Sequence, residues 1–277
     1  MLLDGKIVSS LIRNQIKNEV KSLGKITLLV ILVGDNSASK IYVHYKQKAC
    51  KEVGINCTLL QLDKNITEAE LIKIIDEANT NEQVHGILVQ LPLPPHLDSQ
   101  TIINHINPYK DVDGLTVINQ GKLFNNLDCI VPATPKGVIS LLDYYHIDIT
   151  SKKAIVIGRS NLVGKPLAML LLHKNATVIT AHSKTKDLGM ITKECDIVIS
   201  AVGKPLFITK EMIKKDAVVV DVGISRINDK VVGDVAFEEV KNITSFITPV
   251  PGGVGPMTIA SLLENVITCY KKLKGSI

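Results

Sequence analysis

Short apolar runs alternate with helix-like segments along most of the chain. Residues 26–34, 57–62 and 84–92 are almost continuously apolar, as in strands that are covered on both faces. Between the second and third runs, "ITEAELIKIIDEAN" carries apolar residues at helical intervals, with Thr67 and Glu70 in the spacing of a capping box. The pattern predicts a strand–helix–strand series, and hence a parallel sheet with helices on both faces.

A second series of the same kind follows in the other half of the chain. Its apolar runs span residues 153–158, 176–182, 196–203 and 217–223. Two such series predict an α/β fold with two domains, and we place the boundary near residue 137.

The segment between the two series, residues 106–135, has no clear period. It is rich in Pro, Gly, Asn and Asp but too apolar for a disordered linker, so we predict a functional loop. At its end, Thr134 and Pro135 predict an N-cap followed by proline at the first helical position. A last helix is predicted to begin after Pro256 and to run through residues 257–277.

Composition narrows the class of protein. The chain has 277 residues, of which 45% are hydrophobic and 21% charged, which is ordinary for a globular protein with a sizeable core. No run is long enough to span a bilayer and none resembles a secretory signal, so no membrane association is predicted. The five cysteines form no C-x-x-C pair, which disfavours a disulfide framework or a thiolate zinc site and suits a reducing cytosol.

The net charge of +5 raises the question of a nucleic-acid partner. The lysines are spread singly among acids, and aromatic residues make up only 4% of the chain with no tryptophan. A single-strand binder would need stacking platforms beside its basic residues. We therefore predict no nucleic-acid partner, and a mild positive field fits an anionic small molecule or cofactor.

The stretch "AIVIGRSNLVGKP" reads as a strand, a glycine turn and a helix, the place where a doubly wound fold binds a dinucleotide. Gly158 and Gly164 are present, but Ser160 stands where the second glycine of G-x-G-x-x-G would be. The next strand ends "AHSKT" without the acid that typically binds the ribose 2′-hydroxyl of NAD. Ser183, with Lys184 beside it and Arg159 in the turn, suits a 2′-phosphate instead, so NADP is favoured over NAD.

Tyr42 and Lys46 lie four residues apart on a predicted helix and share one face of it. A Tyr-x-x-x-Lys pair occurs in short-chain dehydrogenases, but there it follows the cofactor turn, whereas here it lies far upstream. If the pair is catalytic, it belongs to a different domain from the cofactor. Gln90 and Pro92 end a predicted strand, where open α/β sheets bind ligands. Each of these residues also has an ordinary structural interpretation.

Together these segments resemble one family, the bifunctional methylenetetrahydrofolate dehydrogenase/methenyltetrahydrofolate cyclohydrolases. The similar segments follow the family order: "ASKIYVHYKQKACKEVGI", "GILVQLPLP", "NPYKDVDGL", "PATPKGV", "IVIGRSNLVGKP", "HSKT" and "PVPGGVGPMTIASLL". One departure is Ala133, which stands where the family often has cysteine before Thr-Pro, so no thiol can be essential there.

The resemblance implies two domains flanking a cleft. Residues 1–137 would form a folate-binding catalytic domain, to which the last helix, 257–277, returns, and residues 138–256 a Rossmann-type NADP-binding domain. The resemblance also implies a cytoplasmic homodimer in one-carbon metabolism and purine biosynthesis. The implied reactions are NADP-dependent oxidation of 5,10-methylenetetrahydrofolate and hydrolysis of the methenyl product to 10-formyltetrahydrofolate. Polyglutamylated folates are plausible substrates because of the surplus of lysine. The alternative is a monofunctional NAD(P)-dependent methylenetetrahydrofolate dehydrogenase on the same scaffold.

The resemblance also implies roles for individual residues. Lys46 would be the catalytic lysine, supported by Tyr42 and Gln90, and Asp113 would hold the pterin. The remaining implied folate contacts are Val89, Leu91, Pro92, Pro251, Gly252, Gly253, Val254 and Gly255. The implied cofactor contacts are Gly158, Arg159, Ser160, Ser183 and Ile224.

The chemistry accounts for these residue types. Loss of hydride from a carbon between two nitrogens leaves a resonance-stabilised amidinium, so positioning should dominate that step. Hydrolysis requires water to lose a proton and a ring nitrogen to gain one. We therefore expect Lys46 to matter more to hydrolysis than to hydride transfer.

Overall fold

The computed structural model describes residues 1–228 and 230–276, and it divides into two compact units. The N-terminal unit comprises Leu11–Ala133 and the residues from Ile259 onward. The C-terminal unit comprises Thr134–Thr258 together with Met1–Ser10. Within the described ranges, no helix has both the length and the apolar character needed to cross a membrane.

The elements alternate between strand and helix, as the apolar pattern predicts. In the first half of the chain they are α1 (Gly5–Val20), β1 (Thr27–Val33), α2 (Ser37–Val53), β2 (Asn56–Leu62), α3 (Glu68–Thr80), β3 (Gly86–Val89), α4 (Ser99–Asn104) and α5 (Val117–Phe124). In the second half they are α6 (Ala133–Tyr144), β4 (Lys153–Ile157), α7 (Gly164–His173), β5 (Thr177–Ala181), α8 (Leu188–Lys193), β6 (Ile197–Ser200), β7 (Val218–Asp221), β8 (Ser225–Ile227), β9 (Lys230–Val232), α9 (Phe237–Val240), β10 (Phe246–Ile247) and α10 (Val254–Leu273).

The N-terminal unit is built on a parallel sheet in the order β2-β1-β3. Every residue of the central strand β1 is buried, which explains its uninterrupted apolar sequence. Helix α3 begins with the predicted capping box: the Thr67 side chain accepts from the Glu70 N–H, and the Glu70 carboxylate accepts from the Thr67 N–H.

The C-terminal unit has a parallel sheet in the order β10-β7-β6-β4-β5. The chain runs from β4 to β5 on one side and then crosses to β6 on the other. This reversal is the topological switch point at which doubly wound sheets bind ligands, outside the carboxyl ends of their strands. A two-stranded antiparallel ribbon, β8-β9, follows β7.

The structure differs from the predicted elements at one missed helix and at the ends of two others. The segment predicted as a loop contains the helix α5, which begins after the N-cap Thr116. Helix α6 begins at Ala133, so Thr134 lies inside the helix rather than at its N-cap. Helix α10 begins at Val254, which places Pro256 in its first turn, where a missing N–H costs no helical hydrogen bond. The helix ends at Leu273, so the prediction that it continues to residue 277, which itself lies outside the described residues, was also wrong.

Candidate active site and cofactor site

Helix α2 presents Tyr42 and Lys46 one turn apart. Asn36 caps its first turn by accepting from the Ser39 N–H, and Gly54 ends it in the left-handed conformation, at φ 88°. These two signals define the helix ends, and the four-residue spacing places both side chains on one face. Tyr42 is 43% exposed, whereas Lys46 is half-buried. Burial raises the pKa of Tyr42.

Lys46 reaches the end of the neighbouring strand β3. Its Nζ lies 3.0 Å from Oε1 of Gln90, the residue that follows the strand. The Gln90 Nε2 donates to the Leu91 carbonyl at 2.7 Å, which leaves the oxygen of the amide facing the lysine. The Gln90 N–H donates to the Ile31 carbonyl of β1, so the backbone that carries the amide is part of the sheet. Lys46 therefore has a neutral acceptor held in a defined orientation.

Asp113 lies within the electrostatic reach of Lys46. The side chain is half-buried, and burial raises the pKa of Asp113. The charge of Lys46 opposes this rise, and that of Asp111 adds to it. Asp111 itself accepts from the N–H groups of Leu115 and Thr116, which makes it a turn former. The two aspartates of "KDVDG" thus have different surroundings, and only Asp113 is available to a ligand.

The other predicted folate contacts fall into two groups. Val89, Leu91 and Pro92 surround Gln90 at the carboxyl end of β3, with Val89 buried and Pro92 exposed. Residues 251–255, a short loop and the first residues of α10, belong to the C-terminal unit, where the Gly5 N–H donates to the Gly252 carbonyl. A Cβ on Gly5 would lie 1.8 Å from the Gly253 carbonyl oxygen, so the start of α1 packs directly against this loop.

Two cysteines beside Lys46 were not predicted to belong to the site. Cys50, one turn after Lys46 on α2, is fully buried and shares a hydrogen bond with Cys57 of β2. That hydrogen bond and burial raise the pKa of Cys50, while the bond from Cys50 lowers the pKa of Cys57. The four-residue spacing of Lys46 and Cys50 was the available sequence signal; Cys57 is brought close only by the packing of α2 on β2.

In the glycine turn after β4, neighbouring backbone lies so close to the glycines that no side chain would fit, as in turns that bind a dinucleotide. Gly158 has φ +138°, and a Cβ there would lie 2.6 Å from the Ala201 carbonyl oxygen. A Cβ on Gly164 would lie 2.2 Å from the Gly158 carbonyl oxygen, so Gly164 allows α7 to pack against the turn. The Ser160 hydroxyl accepts from the Val163 N–H at 3.1 Å, in the turn that leads into α7. Ser160 therefore orders the turn that a glycine would merely permit.

The end of β5 offers hydroxyls and a cation. Ser183 and Lys184 are exposed just after the strand, and Arg159 is exposed in the glycine turn. The Thr185 hydroxyl accepts from the His182 N–H at 2.9 Å, which folds this segment into a tight turn. Ile224, the remaining predicted contact, is 48% exposed after β7. The close packing of the glycines at the turn fits a dinucleotide. The exposed cations, with no carboxylate at the end of β5, fit a 2′-phosphate on its ribose.

The fold and this site define a class of protein: an α/β enzyme in which one unit has a Rossmann-type dinucleotide site and the other holds a lysine against a neutral amide. Sequence models of tetrahydrofolate dehydrogenase/cyclohydrolase match it, the catalytic domain over residues 3–113 and the NAD(P)-binding domain over residues 132–274.

Similar proteins extend the match to the full chain. Bifunctional protein FolD of Campylobacter hominis is 52% identical over 98% of this chain and 97% of its own length. The crystal structure of the Campylobacter jejuni bifunctional FolD methylenetetrahydrofolate dehydrogenase/cyclohydrolase superposes with a TM-score of 0.96 at 48% identity, covering 100% of this chain and 99% of that one. The Trypanosoma brucei dehydrogenase-cyclohydrolase, solved with NADP and an inhibitor, gives a TM-score of 0.93 at 37% identity, covering 98% and 97% of the two chains.

The chain belongs to the tetrahydrofolate dehydrogenase/cyclohydrolase family. The predictions of the family, of a two-domain α/β fold with a Rossmann-like domain and of NADP as the cofactor are confirmed.

Proposed function

We propose that this protein oxidises 5,10-methylenetetrahydrofolate with NADP and hydrolyses the methenyl product to 10-formyltetrahydrofolate, with Lys46 as the residue that moves protons in the second reaction. The observation that carries this proposal is the 3.0 Å contact between Lys46 Nζ and Gln90 Oε1. A lysine held by a neutral acceptor can be uncharged or protonated without losing its partner, and proton transfer during hydrolysis requires both forms.

The oxidation makes small demands on the chain. Bound NADP supplies the acceptor for the hydride. The carbon that loses the hydride lies between two nitrogens, which share the resulting positive charge, so the protein chiefly has to orient the folate ring. We assign this to Asp113, a hydrogen-bonding partner for the pterin, and to the end of β3, where Leu91 and Pro92 follow Val89, whose side chain lies in the core.

The hydrolysis makes larger demands. Water adds to the methenyl carbon and loses a proton, and a ring nitrogen then gains one as its bond to that carbon breaks. The hydroxyl of the adduct loses its own proton to solvent as the formyl C=O forms, so hydrolysis of the methenyl cation releases one proton overall. Neutral Lys46 can take the proton from water, and the resulting ammonium can give it to the nitrogen. Gln90 keeps the lysine in place through both states, because its oxygen accepts an N–H from either form. Tyr42 lies one turn earlier on the same helix face, and we assign it to holding the folate ring beside Lys46.

The cofactor is assigned to the carboxyl edge of the second sheet. Gly158 and Ser160 would admit the pyrophosphate, and Arg159 and Ser183 would bind the 2′-phosphate. Ile224 would cover the cofactor after β7. Pro251, Gly252, Gly253, Val254 and Gly255 lead into and begin α10, and we assign this segment to the folate.

Two activities are favoured over the monofunctional alternative. Relatives of about 50% identity over nearly the full chain are named as bifunctional proteins. The chain also has both Lys46 and Gln90, the two residues to which we assign the hydrolysis.

Assembly, location and pathway are further parts of this proposal. We propose a cytoplasmic homodimer that serves one-carbon metabolism and purine biosynthesis and accepts polyglutamylated folates. The free thiols of all five cysteines support a reducing compartment. A sedimentation mass near that of one 30.2 kDa chain would contradict the dimer. Equal affinities for mono- and polyglutamyl substrates would contradict the polyglutamate preference.

The proposal is tested by Lys46→Met, with both activities measured on the same preparation. We expect hydrolysis of methenyltetrahydrofolate to fall by roughly 10²–10⁴-fold, the usual contribution of a positioned acid–base group. NADP reduction should fall much less, because that step needs no proton transfer. Lys48→Met is the matched control, since Lys48 is exposed on the same helix, and both of its rates should stay near those of the wild type.

Equal loss of both activities in Lys46→Met, with folate binding intact, would contradict the role given to Lys46. A wild-type protein that reduces NADP while methenyl product accumulates would be a dehydrogenase only.

A further inference from the structure

Two buried carboxylates lie where the strands of the C-terminal sheet end, and the mechanism above uses neither. Asp221 is the last residue of β7 and is paired in register with Ser200, the last residue of β6. Asp234 follows the ribbon β8-β9. Asp221 is 3% exposed and Asp234 is fully buried. Buried carboxylates are costly unless they organise the groups around them.

Asp234 holds the loop that follows β6. Its Oδ2 accepts from the Val202 N–H at 2.8 Å, from the Gly203 N–H at 3.3 Å and from the Ser200 hydroxyl at 2.9 Å. Two of these donors belong to the loop 201–203 and the third to the strand. One carboxylate oxygen thus fixes the path of the chain as it leaves the sheet.

Asp221 holds both Asp234 and the loop that follows β7. Its Oδ1 accepts from the N–H groups of Gly223 and Asp234, each at 2.9 Å, and its Oδ2 accepts from the Val235 N–H at 2.8 Å. The position of the Asp234 backbone therefore depends on Asp221. Together the two carboxylates connect the loops after β6 and β7 into one hydrogen-bonded unit.

Two glycines pack closely against this pair. A Cβ on Gly223 would lie 2.1 Å from Asp234 Oδ1, and one on Gly233 would lie 1.9 Å from Asp221 Oδ2. The second oxygen of Asp234, Oδ1, is buried without a hydrogen-bond partner among the described residues. Burying a carboxylate with one oxygen unsatisfied destabilises the fold. We therefore look for the role of Asp234 in the loops that its other oxygen holds.

Those loops adjoin the cofactor turn. The Ala201 carbonyl oxygen makes the close approach to Gly158 described above. The Ser225 hydroxyl donates to the Gly203 carbonyl at 3.4 Å, which connects the loop after β6 to the residue that follows Ile224. Any shift of these loops would therefore move Ile224 and the wall of the glycine turn together.

We propose that Asp234, itself placed by Asp221, is a positioning residue for NADP: it holds the loop 201–203, and through it the rim of the dinucleotide site, in the conformation that receives the cofactor. The inference rests on the proposed function in that NADP is the ligand concerned.

The test is Asp234→Asn, with the Kd of NADP measured by titration calorimetry. The amide keeps the shape and one acceptor but loses the charge, and hydrogen bonds to charged groups are the stronger ones. We expect NADP to bind about tenfold or more weakly, while methenyltetrahydrofolate hydrolysis, which consumes no NADP, stays near the wild-type rate. Asp216→Asn is the matched control, because Asp216 is exposed before β7, at the opposite end of the strand, and should leave the Kd unchanged.

A second variant separates positioning from stability. Ser200→Ala removes the donor in the strand but leaves both loop N–H bonds, so it should lower the melting temperature while the Kd of NADP stays near that of the wild type. A Kd raised as much in Ser200→Ala as in Asp234→Asn would overturn the proposal. So would an unchanged Kd in Asp234→Asn, or parallel loss of NADP binding and hydrolysis.

If Asp234→Asn does not fold, Val202→Pro is the alternative, because proline has no N–H and so removes the hydrogen bond from residue 202 to Asp234 while keeping the carboxylate. A normal Kd of NADP in that variant would overturn the inference. Failure of the proposed function would look different, because the wild-type protein itself would then bind no NADP or hydrolyse no methenyltetrahydrofolate.

Discussion

The amide of Gln90 has a defined orientation, which determines what it offers to Lys46. Because its nitrogen donates to the Leu91 carbonyl, its oxygen must face the ammonium. The sequence identified Gln90 as a polar residue at a strand end, but not which of its two atoms would face the lysine. That choice depends on the direction of the Leu91 carbonyl, which is a property of the folded backbone.

Replacing Gln90 by glutamate should slow hydrolysis selectively. A carboxylate beside Lys46 stabilises the protonated lysine, so less of the neutral amine is present to accept a proton from water. At pH 7 we expect hydrolysis to fall by about tenfold or more, and the rising limb of its pH–rate profile to move to higher pH. Gln83→Glu, exposed before β3, adds the same charge at the other end of the strand and should leave the profile in place. An unmoved profile in Gln90→Glu would contradict proton transfer through Lys46.

At the scale of elements, the turn that carries Asp113 depends on the next residue. Gly114 has φ +65°, and a Cβ there would lie 2.4 Å from the Ile130 carbonyl oxygen. Asp111 completes the turn by accepting from the N–H groups that lead into α5. Asp113 is therefore positioned by its two neighbours in the motif rather than by its own contacts.

Two alanine substitutions test this turn. Gly114→Ala should destabilise the protein by at least about 2 kcal/mol, because the backbone conformation and the contact are both unfavourable for a side chain. Gly121→Ala should stabilise α5 by about 0.5–1 kcal/mol, since nothing lies within 4 Å of the added methyl group. Urea titration gives both values. A neutral Gly114→Ala would mean that the turn adapts, and folate binding would then be unaffected.

The helix α5 shows why element prediction was incomplete. Its eight residues, VINQGKLF, include a glycine and an asparagine and leave Val117, Ile118 and Phe124 exposed, so no apolar stripe was visible in the sequence. The helix is held by its ends instead. Thr116 caps it, and Asn119, buried within it, donates to the Pro108 carbonyl.

At the scale of the whole molecule, the chain does not follow its linear order. Residues 1–10 belong to the C-terminal unit, where Leu2 pairs in parallel with Ile247 and the Leu3 N–H donates to the Ile247 carbonyl. The first residues thus extend a sheet whose other strands begin some 150 positions later. The apolar pattern gave no sign of this pairing, since a short bridge has no period.

The buried Asp221 should also affect the pH dependence of stability. Burial raises the pKa of Asp221 to about 6, against hydrogen bonds from the Val235 and Asp234 N–H groups, while the charge of Asp234 adds to the rise. The ordinary value is 3.8, so between these two pH values the folded state binds more protons than the unfolded state. The contribution of this group to the free energy of unfolding therefore falls as pH rises through that window.

Compared with Asp221→Asn, which cannot titrate there, the wild type should lose about 2 kcal/mol of unfolding free energy between pH 4.5 and pH 7. Urea titrations at the two pH values, with hydrogen exchange followed in β6 and β7, measure the difference. A constant difference between the two proteins would show that Asp221 is ionised throughout.

The sequence by itself determined the strand–helix alternation, the capping box of α3 and the glycine turn, because each depends on residues that are near neighbours in the chain. Motif resemblance added the family and the candidate site residues. Tertiary structure alone decided that Cys57 approaches Lys46, that Gln90 offers its oxygen, and that Asp221 and Asp234 connect two loops. These features join residues from separate elements, and their energies depend on burial and on the direction of individual donors, neither of which is a local property of the chain.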